Sequence, residues 1–224
     1  MSSDRTGDGF RGLTTRLLVL FLAMVVAGFV IPSPGVSAPE PFHAILKPDQ
    51  RPALYRPMAG PAAPRELVVR SLGIRAPILP IQLEGTVLTP PADPQTVGWW
   101  DVSARPGARR GNTVVTGHTV HTGGGQMDRL GTIERGALVQ IKTPRGTMNY
   151  EATRVIVYTK AELAAHSTEL FTQERKHNRL VLITCTGWTG VDYTSNVIVF
   201  AEPLGIRNAP RRQTGNDVLA DGAI

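Results

Sequence analysis

Between residues 67 and 201 the chain keeps to one pattern: short apolar or β-branched runs separated by turns rich in glycine and proline. The runs fall at 67–69, 78–83, 87–88, 97–100, 113–116, 138–142, 148–151, 154–158, 180–185 and 197–201. Runs of this length and composition favour strands. The 23 glycines and 18 prolines work against long helices. Residues 138–142 alternate, turn at Pro144-Arg145-Gly146 and return through 148–151, which predicts a hairpin. Residues 160–165 and 167–171 each suit a helical turn or two, and Pro77 and Pro80 mark an edge or bend. About eight short strands with little helix predict a mainly β fold, a closed or nearly closed antiparallel barrel with short helices. No internal repeat is evident.

The N-terminus predicts a different environment. Every residue from 17 to 31 is apolar, and extension back to Leu13 reaches a membrane-spanning length if Arg16 snorkels to the headgroups. A cleavable signal peptide is the alternative, with Val36-Ser37-Ala38 as its small-residue site, but Pro39 directly after it hinders cutting. The expectation is therefore a cytoplasmic segment at 1–12 and an uncleaved transmembrane anchor at 13–31. Arg5, Arg11 and Arg16 precede the span, which orients the rest of the chain outward. Residues 32–64 hold nine of the 18 prolines and predict an extended linker, in which His43 is solvated. A folded domain is expected at 65–203 and a flexible polar tail at 204–224.

The chemistry concentrates at two strand ends. Leu180-Val181-Leu182-Ile183-Thr184 reads as a buried strand that delivers Cys185, the one cysteine, to a glycine-containing loop with Gly187 and Gly190. A lone cysteine forms no internal disulfide, so it is either a small buried hydrophobe or a working free thiol. His118 follows the run 113–116 and Gly117 in the same way. A histidine beside a cysteine stabilises the thiolate and later protonates an amine leaving group. His121, His166 and His177 lie in polar loops and read as solvated, with His121 the one substitute for His118. One Cys and five His without ligand spacing give no metal site, and no cofactor is implied. The net charge of +6 suits an anionic envelope surface. The basic residues are scattered without interleaved aromatics, which argues against nucleic acid as a partner.

Thr116-Gly117-His118, Leu182-Ile183-Thr184-Cys185 and the intervening loops resemble the sortases, membrane-anchored cysteine transpeptidases of Gram-positive envelopes. Pro90-Pro91, Gly98-Trp99-Trp100, Pro106-Gly107 and Gly111-Asn112-Thr113 resemble the class E and F sortases of actinobacteria. The resemblance covers roughly residues 66–203. It implies an eight-stranded sortase-type barrel with a Cys-His-Arg site. By this analogy Cys185 attacks the Thr-Gly carbonyl of a Leu-Pro-any-Thr-Gly sorting signal on a secreted protein, and His118 protonates the departing amine. An amine from a peptidoglycan precursor or a pilin lysine then resolves the thioester.

The chain departs from the family after the cysteine. Sortases carry an arginine on the following strand, whereas here no Arg occurs between Cys185 and Arg207. Thr194 or Asn196 occupies that register, and either donates only a neutral hydrogen bond. Arg105, Arg109, Arg110 and Arg129 are the candidate replacements, with surface solvation the default for each. Ala137 also stands where an Asp often follows Gly in this family. Trp188 either walls a substrate groove or packs as an ordinary hydrophobic side chain. Gln213-Thr214-Gly215 echoes the end of a sorting signal without its Leu-Pro, and reads as chance. Two functions follow: a transpeptidase worked by Cys185 and His118, or a catalytically impaired sortase-like domain that binds envelope peptides or proteins.

Overall fold

The strands run in chain order β1 (Tyr55–Arg56), β2 (Glu66–Val69), β3 (Ile74–Ile81), β4 (Leu83–Glu84), β5 (Val87–Leu88), β6 (Val97–Trp100) and β7 (Asn112–Gly117). Then come β8 (Leu138–Thr143), β9 (Gly146–Thr159), the short helices α1 (Lys160–Ala165) and α2 (Ser167–Phe171), β10 (Arg179–Trp188) and β11 (Tyr193–Arg207). This computed structural model describes residues 54–209, apart from residue 86. The expected anchor, His43, most of the linker and the end of the tail lie outside the described residues. Among the described residues, no helix is long and apolar enough to cross a membrane.

Eight strands close into a barrel in the order β11-β10-β7-β6-β3-β2-β8-β9, and β9 returns to β11. Closure depends on the two longest strands, since β9 pairs first with β8 and then along most of β11. Register shifts at Phe200/Ala201 and Pro203/Gly205 interrupt that ladder. Bulges of this kind bend a strand and raise its twist, as closure requires. The separate two-stranded ribbon β4-β5 lies between β3 and β6 in the chain.

The barrel is mixed rather than antiparallel: β3 pairs parallel with β6, and β7 pairs parallel with β10. An apolar run carries no mark of its direction, and each parallel pair is joined by an intervening excursion of the kind such pairs need. In β3, Ile74 to Pro77 pair with β2 and Ile78 to Ile81 pair with β6, so Pro77 and Pro80 stand in a strand that changes partner midway. The hairpin β8-β9 and both helices fall where the sequence put them. The sheet extends past the expected domain limits at both ends, because Tyr55 and Arg56 pair with Arg207 and Ile206.

Two apolar clusters flank the barrel wall. The interior one gathers Leu180 and Leu182 from β10, Val115 from β7, and Val197 and Val199 from β11, with Met127 and Leu130 also in it. The outer one holds the alternate residues of those strands: Val114, Val181, Ile183, Ile198 and Phe200. Leu170 and Phe171 of α2 and Leu163 of α1 cover it. Burial on both faces explains why β7 and β10 read as unbroken apolar runs. Helix α1 starts at a capping box: the Thr159 hydroxyl accepts from the Glu162 N–H at 3.2 Å, and the Glu162 carboxylate accepts from the Thr159 N–H at 2.8 Å.

Gly117, last residue of β7, faces the interior. A Cβ there would lie 2.7 Å from Met127 Cγ and 2.9 Å from Val97 Cγ1. Gly117→Ala is therefore expected to overpack the core and destabilise the protein by about 1–3 kcal/mol. A lowered urea midpoint with unchanged slope checks this.

Candidate active site

Period-two alternation puts Val181, Ile183 and Cys185 on the outward face of β10, with Cys185 just past the end of the outer cluster. It lies half-buried where the two valine- and isoleucine-lined positions before it are closed off. In the parallel ladder with β7, Ile183 stands against Thr116. One step on, the Thr184 hydroxyl donates to the Gly117 carbonyl at 2.8 Å, extending that register past the ladder's last pair. The next residue on each chain is Cys185 and His118. Two parallel strands thus release the thiol and the imidazole at the same end of the barrel, as the sequence required for them to meet.

Hydroxyl groups lock this junction. The Thr116 hydroxyl donates to the Ile183 carbonyl at 3.1 Å, and Thr119 and Thr184 share a hydrogen bond at 2.8 Å. The loop after His118 is held by Asp128, whose carboxylate accepts from the N–H groups of Val120 at 2.7 Å and Gly125 at 2.9 Å. A Cβ on Gly125 would meet Asp128 Oδ1 at 2.4 Å, so the loop closes only on glycine. Thr184 entered the sequence reading only as a member of the motif that ends in Cys185, with no role of its own, and Asp128 was not singled out.

Asn196 and Thr194 are separated by the hairpin. Asn196 pairs directly with Cys185 across β10-β11, and its amide Nδ2 lies 3.8 Å from Sγ and 3.4 Å from the Thr184 carbonyl. Thr194 is exposed and donates its hydroxyl to the Gly187 carbonyl at 3.1 Å, so it belongs to the turn geometry rather than to the sulfur. The glycine loop expected after Cys185 is shorter than the sequence suggested. Strand β10 runs on to Trp188, which pairs with Tyr193, and Gly187 at φ 73° accommodates the irregularity. Thr189 N–H donates to the Asp192 carbonyl at 3.0 Å and closes the turn.

Trp188 stacks on His121, centroids 4.1 Å apart and planes 4° from parallel, and contacts Tyr193 at 5.0 Å. It remains 39% exposed, enough to offer one edge to a ligand. The Tyr193 hydroxyl is buried against the His121 main chain without a well-formed hydrogen bond. His121 and His166 are exposed but not free in solvent as expected, since His166 stacks on Tyr158 at 4.5 Å. His177 is exposed.

Burial pushes the Cys185 thiol above its ordinary pKa. The Lys160 ammonium opposes that shift, the Asp192 carboxylate adds to it, and the Asn196 amide opposes it. Lys160 and Asp192 are themselves paired at 2.6 Å. None of the four candidate arginines is among the charges acting on the sulfur. Arg105 lies over the Trp99 ring at 6.0 Å, and Arg109 lines a groove with Tyr55 and Met58. Arg129 lines a small cavity with Ser71 and Glu134, and Arg110 is exposed. Ala137 is buried in the interior cluster. Among the described residues, no three His, Cys, Asp or Glu side chains converge as a metal site.

Because burial favours the protonated thiol, alkylation of Cys185 by neutral iodoacetamide is expected to reach half its plateau above about pH 8.5, where an ordinary thiol is half ionised. A rate profile from pH 6 to 10 tests this. Thr184→Val leaves the buried Gly117 carbonyl without its donor and is expected to cost about 1–3 kcal/mol of stability, read by chemical denaturation.

The sortase-domain family profile matches residues 67–204. Among solved structures, sortase A from Corynebacterium diphtheriae shares 20% identity at TM-score 0.51, covering 68% of this chain and 65% of that one. Sortase C1 from Streptococcus suis shares 19% at TM-score 0.50, covering 68% and 76%. The pilus-related sortase C of Group B Streptococcus shares 18% at TM-score 0.50, covering 65% and 69%. At these identities the likeness is one of fold. No curated protein sequence matches the chain.

Proposed function

The chain belongs to the sortase family of cysteine transpeptidases, and from that premise we propose that it is a working acyl-transfer enzyme with Cys185 as nucleophile and His118 as acid–base partner. The observation that supports this most is the shared exit of the two residues from the parallel pair β7-β10. In this reading the Cys185 thiolate attacks the Thr-Gly carbonyl of an LPXTG-like sorting signal on a secreted protein. A C–S bond forms, the C–N bond breaks, and the glycine amine leaves with a proton from His118. A peptidoglycan-precursor or pilin amine then attacks the thioester and releases the thiol. Two acyl transfers through a covalent intermediate are what a thiol nucleophile permits.

The surrounding parts take matching roles. Asn196 donates to the oxyanion from beside the sulfur, and the exposed edge of Trp188 forms part of the groove wall. Residues 13–31 anchor the chain in the cell membrane, residues 32–64 space it from the bilayer, and the domain works outside the cell. The +6 charge favours an anionic envelope.

A second reading has its own support: a catalytically impaired domain that binds envelope peptides or proteins. No arginine lies between Cys185 and Arg207, and burial pushes the thiol above its ordinary pKa. Loss of one oxyanion donor costs about 100- to 1000-fold in rate. Incubation with sorting-signal peptides and an amine acceptor, followed by mass spectrometry, separates the two. Cleavage and ligation are expected from the native chain. Both should vanish in Cys185→Ala and fall roughly 100- to 10,000-fold in His118→Ala. Folded native protein that binds peptides without cleaving any of them would establish the second reading instead.

A further inference from the structure

Attack of a thiolate on a carbonyl moves the C=O π pair onto oxygen, and that charge needs a donor held in place before the reaction. Beside Cys185, Asn196 offers one neutral amide. Among the described residues, the charged groups whose field acts on the sulfur are Lys160 and Asp192, and Lys160 is the cation of the two. Its placement follows from register. Cys185, Asn196 and Tyr158 form one row across β10, β11 and β9, and Thr159 pairs with Ser195 in the next row. Lys160 follows Thr159 directly and opens α1, whose start the capping box fixes. From there its side chain reaches Asp192 in the β10-β11 turn at 2.6 Å. The ammonium therefore spans from α1 to the hairpin, across the open end of the strands that hold the sulfur.

We propose that the Lys160 ammonium stabilises the oxyanion formed at Cys185, with Asp192 holding it in place between turnovers; this rests on the acyl-transfer reading above. The two partners' side chains are 63% and 69% exposed. A pair so open to water is weakly held, so the ammonium can exchange the carboxylate for a carbonyl oxygen that is gaining charge. Lys160 acts through its charge and passes no proton to the substrate. When the tetrahedral intermediate collapses, the electron pair returns to carbon, the C–N bond breaks, and the proton on the leaving amine comes from His118. Lysine is a point charge without the two-pronged geometry of a guanidinium, so it stabilises charge at the oxygen without fixing the peptide's orientation.

The groups whose charge or hydrogen bond reaches the sulfur are Lys160, Asp192, Asn196 and Tyr193, His118 leaves β7 at the same end, and the experiment isolates Lys160. Iodoacetate and iodoacetamide alkylate the same thiol and differ chiefly in charge, so the ratio of their rates at Cys185, at low salt, reports the local field. Lys160→Met is expected to lower that ratio about threefold or more. Lys160→Arg should preserve it, and Asp192→Asn should raise it. In the peptide assay Lys160→Met is expected to cut kcat by about 100-fold with little change in KM, and Lys160→Arg to recover most of the loss. An unchanged alkylation ratio in Lys160→Met, or an equal fall in the control Arg105→Met, overturns the proposal. An active native chain whose Lys160→Met variant keeps its kcat sinks the oxyanion role alone. A native chain inert toward every peptide sinks the acyl-transfer reading, and the oxyanion role with it.

Discussion

The parallel ladder between β7 and β10 carries the rest of the structure. It sets which residues leave the barrel together, and a slip of one position would turn Cys185 from the outer face to the inner. Hydrophobic alternation cannot fix this register, because both faces of β10 are apolar: Leu180 and Leu182 inward, Val181 and Ile183 outward. Polar groups at the two ends fix it instead. At one end the Asn178 amide donates to the Gly111 carbonyl at 3.1 Å and to Thr113 Oγ1 at 3.3 Å. Beside it, Asn112 donates to the carbonyls of Glu169 and Leu170, which ties α2 to the start of β7. At the other end stand the threonine hydroxyls that couple Gly117 to Thr184. Buried hydrogen bonds add little net stability but are costly to leave unmade, which makes them good determinants of register.

The same ladder imposes a conflict on the thiol. A rigid strand in a dry wall holds a nucleophile well, and dryness is what raises its pKa. Cys185 sits at the compromise position, one outward-facing position past Ile183 of the closed outer cluster and three residues before the exposed Trp188. Moving it two residues back would bury it with Ile183. Moving it two residues forward would put it at Gly187, where the strand geometry breaks.

Much of this was legible in the sequence, for reasons that can be stated. Strand positions were marked by β-branched runs and the β8-β9 hairpin by Pro144-Arg145-Gly146, while residues 160–165 suited a helical turn or two; the capping box that starts α1 went unread. Cys185 and His118 stood out because each ends such a run beside glycine. Strand direction was hidden, since the periodicity of β7 is the same read either way. Strand β1 was hidden because two residues in a proline-rich stretch carry no period at all. Register decided the remaining pair of candidates, putting Asn196 beside the sulfur and Thr194 into the hairpin. Lys160 was out of reach for the same reason: it stands 25 positions before Cys185 in the chain, and only the β10-β11-β9 pairings bring them near.

Those pairings also explain why one short segment governs the whole site. The outer cluster needs a cover, or Val181, Ile183 and Phe200 would face water. Helices α1 and α2 supply it, and Arg154 and Arg179 extend it by lying over the Phe200 ring at 4.2 and 4.1 Å. The cover begins where β9 ends, at Thr159, because the capping box starts the helix there and nowhere later. That boundary falls beside Ser195, one row past the thiol. Ile183 is therefore closed over while Cys185 is left open, and the first side chain of the helix emerges at the edge of the opening. The position of one N-cap thus sets how dry the wall is, where the dryness stops, and which charge stands at the margin.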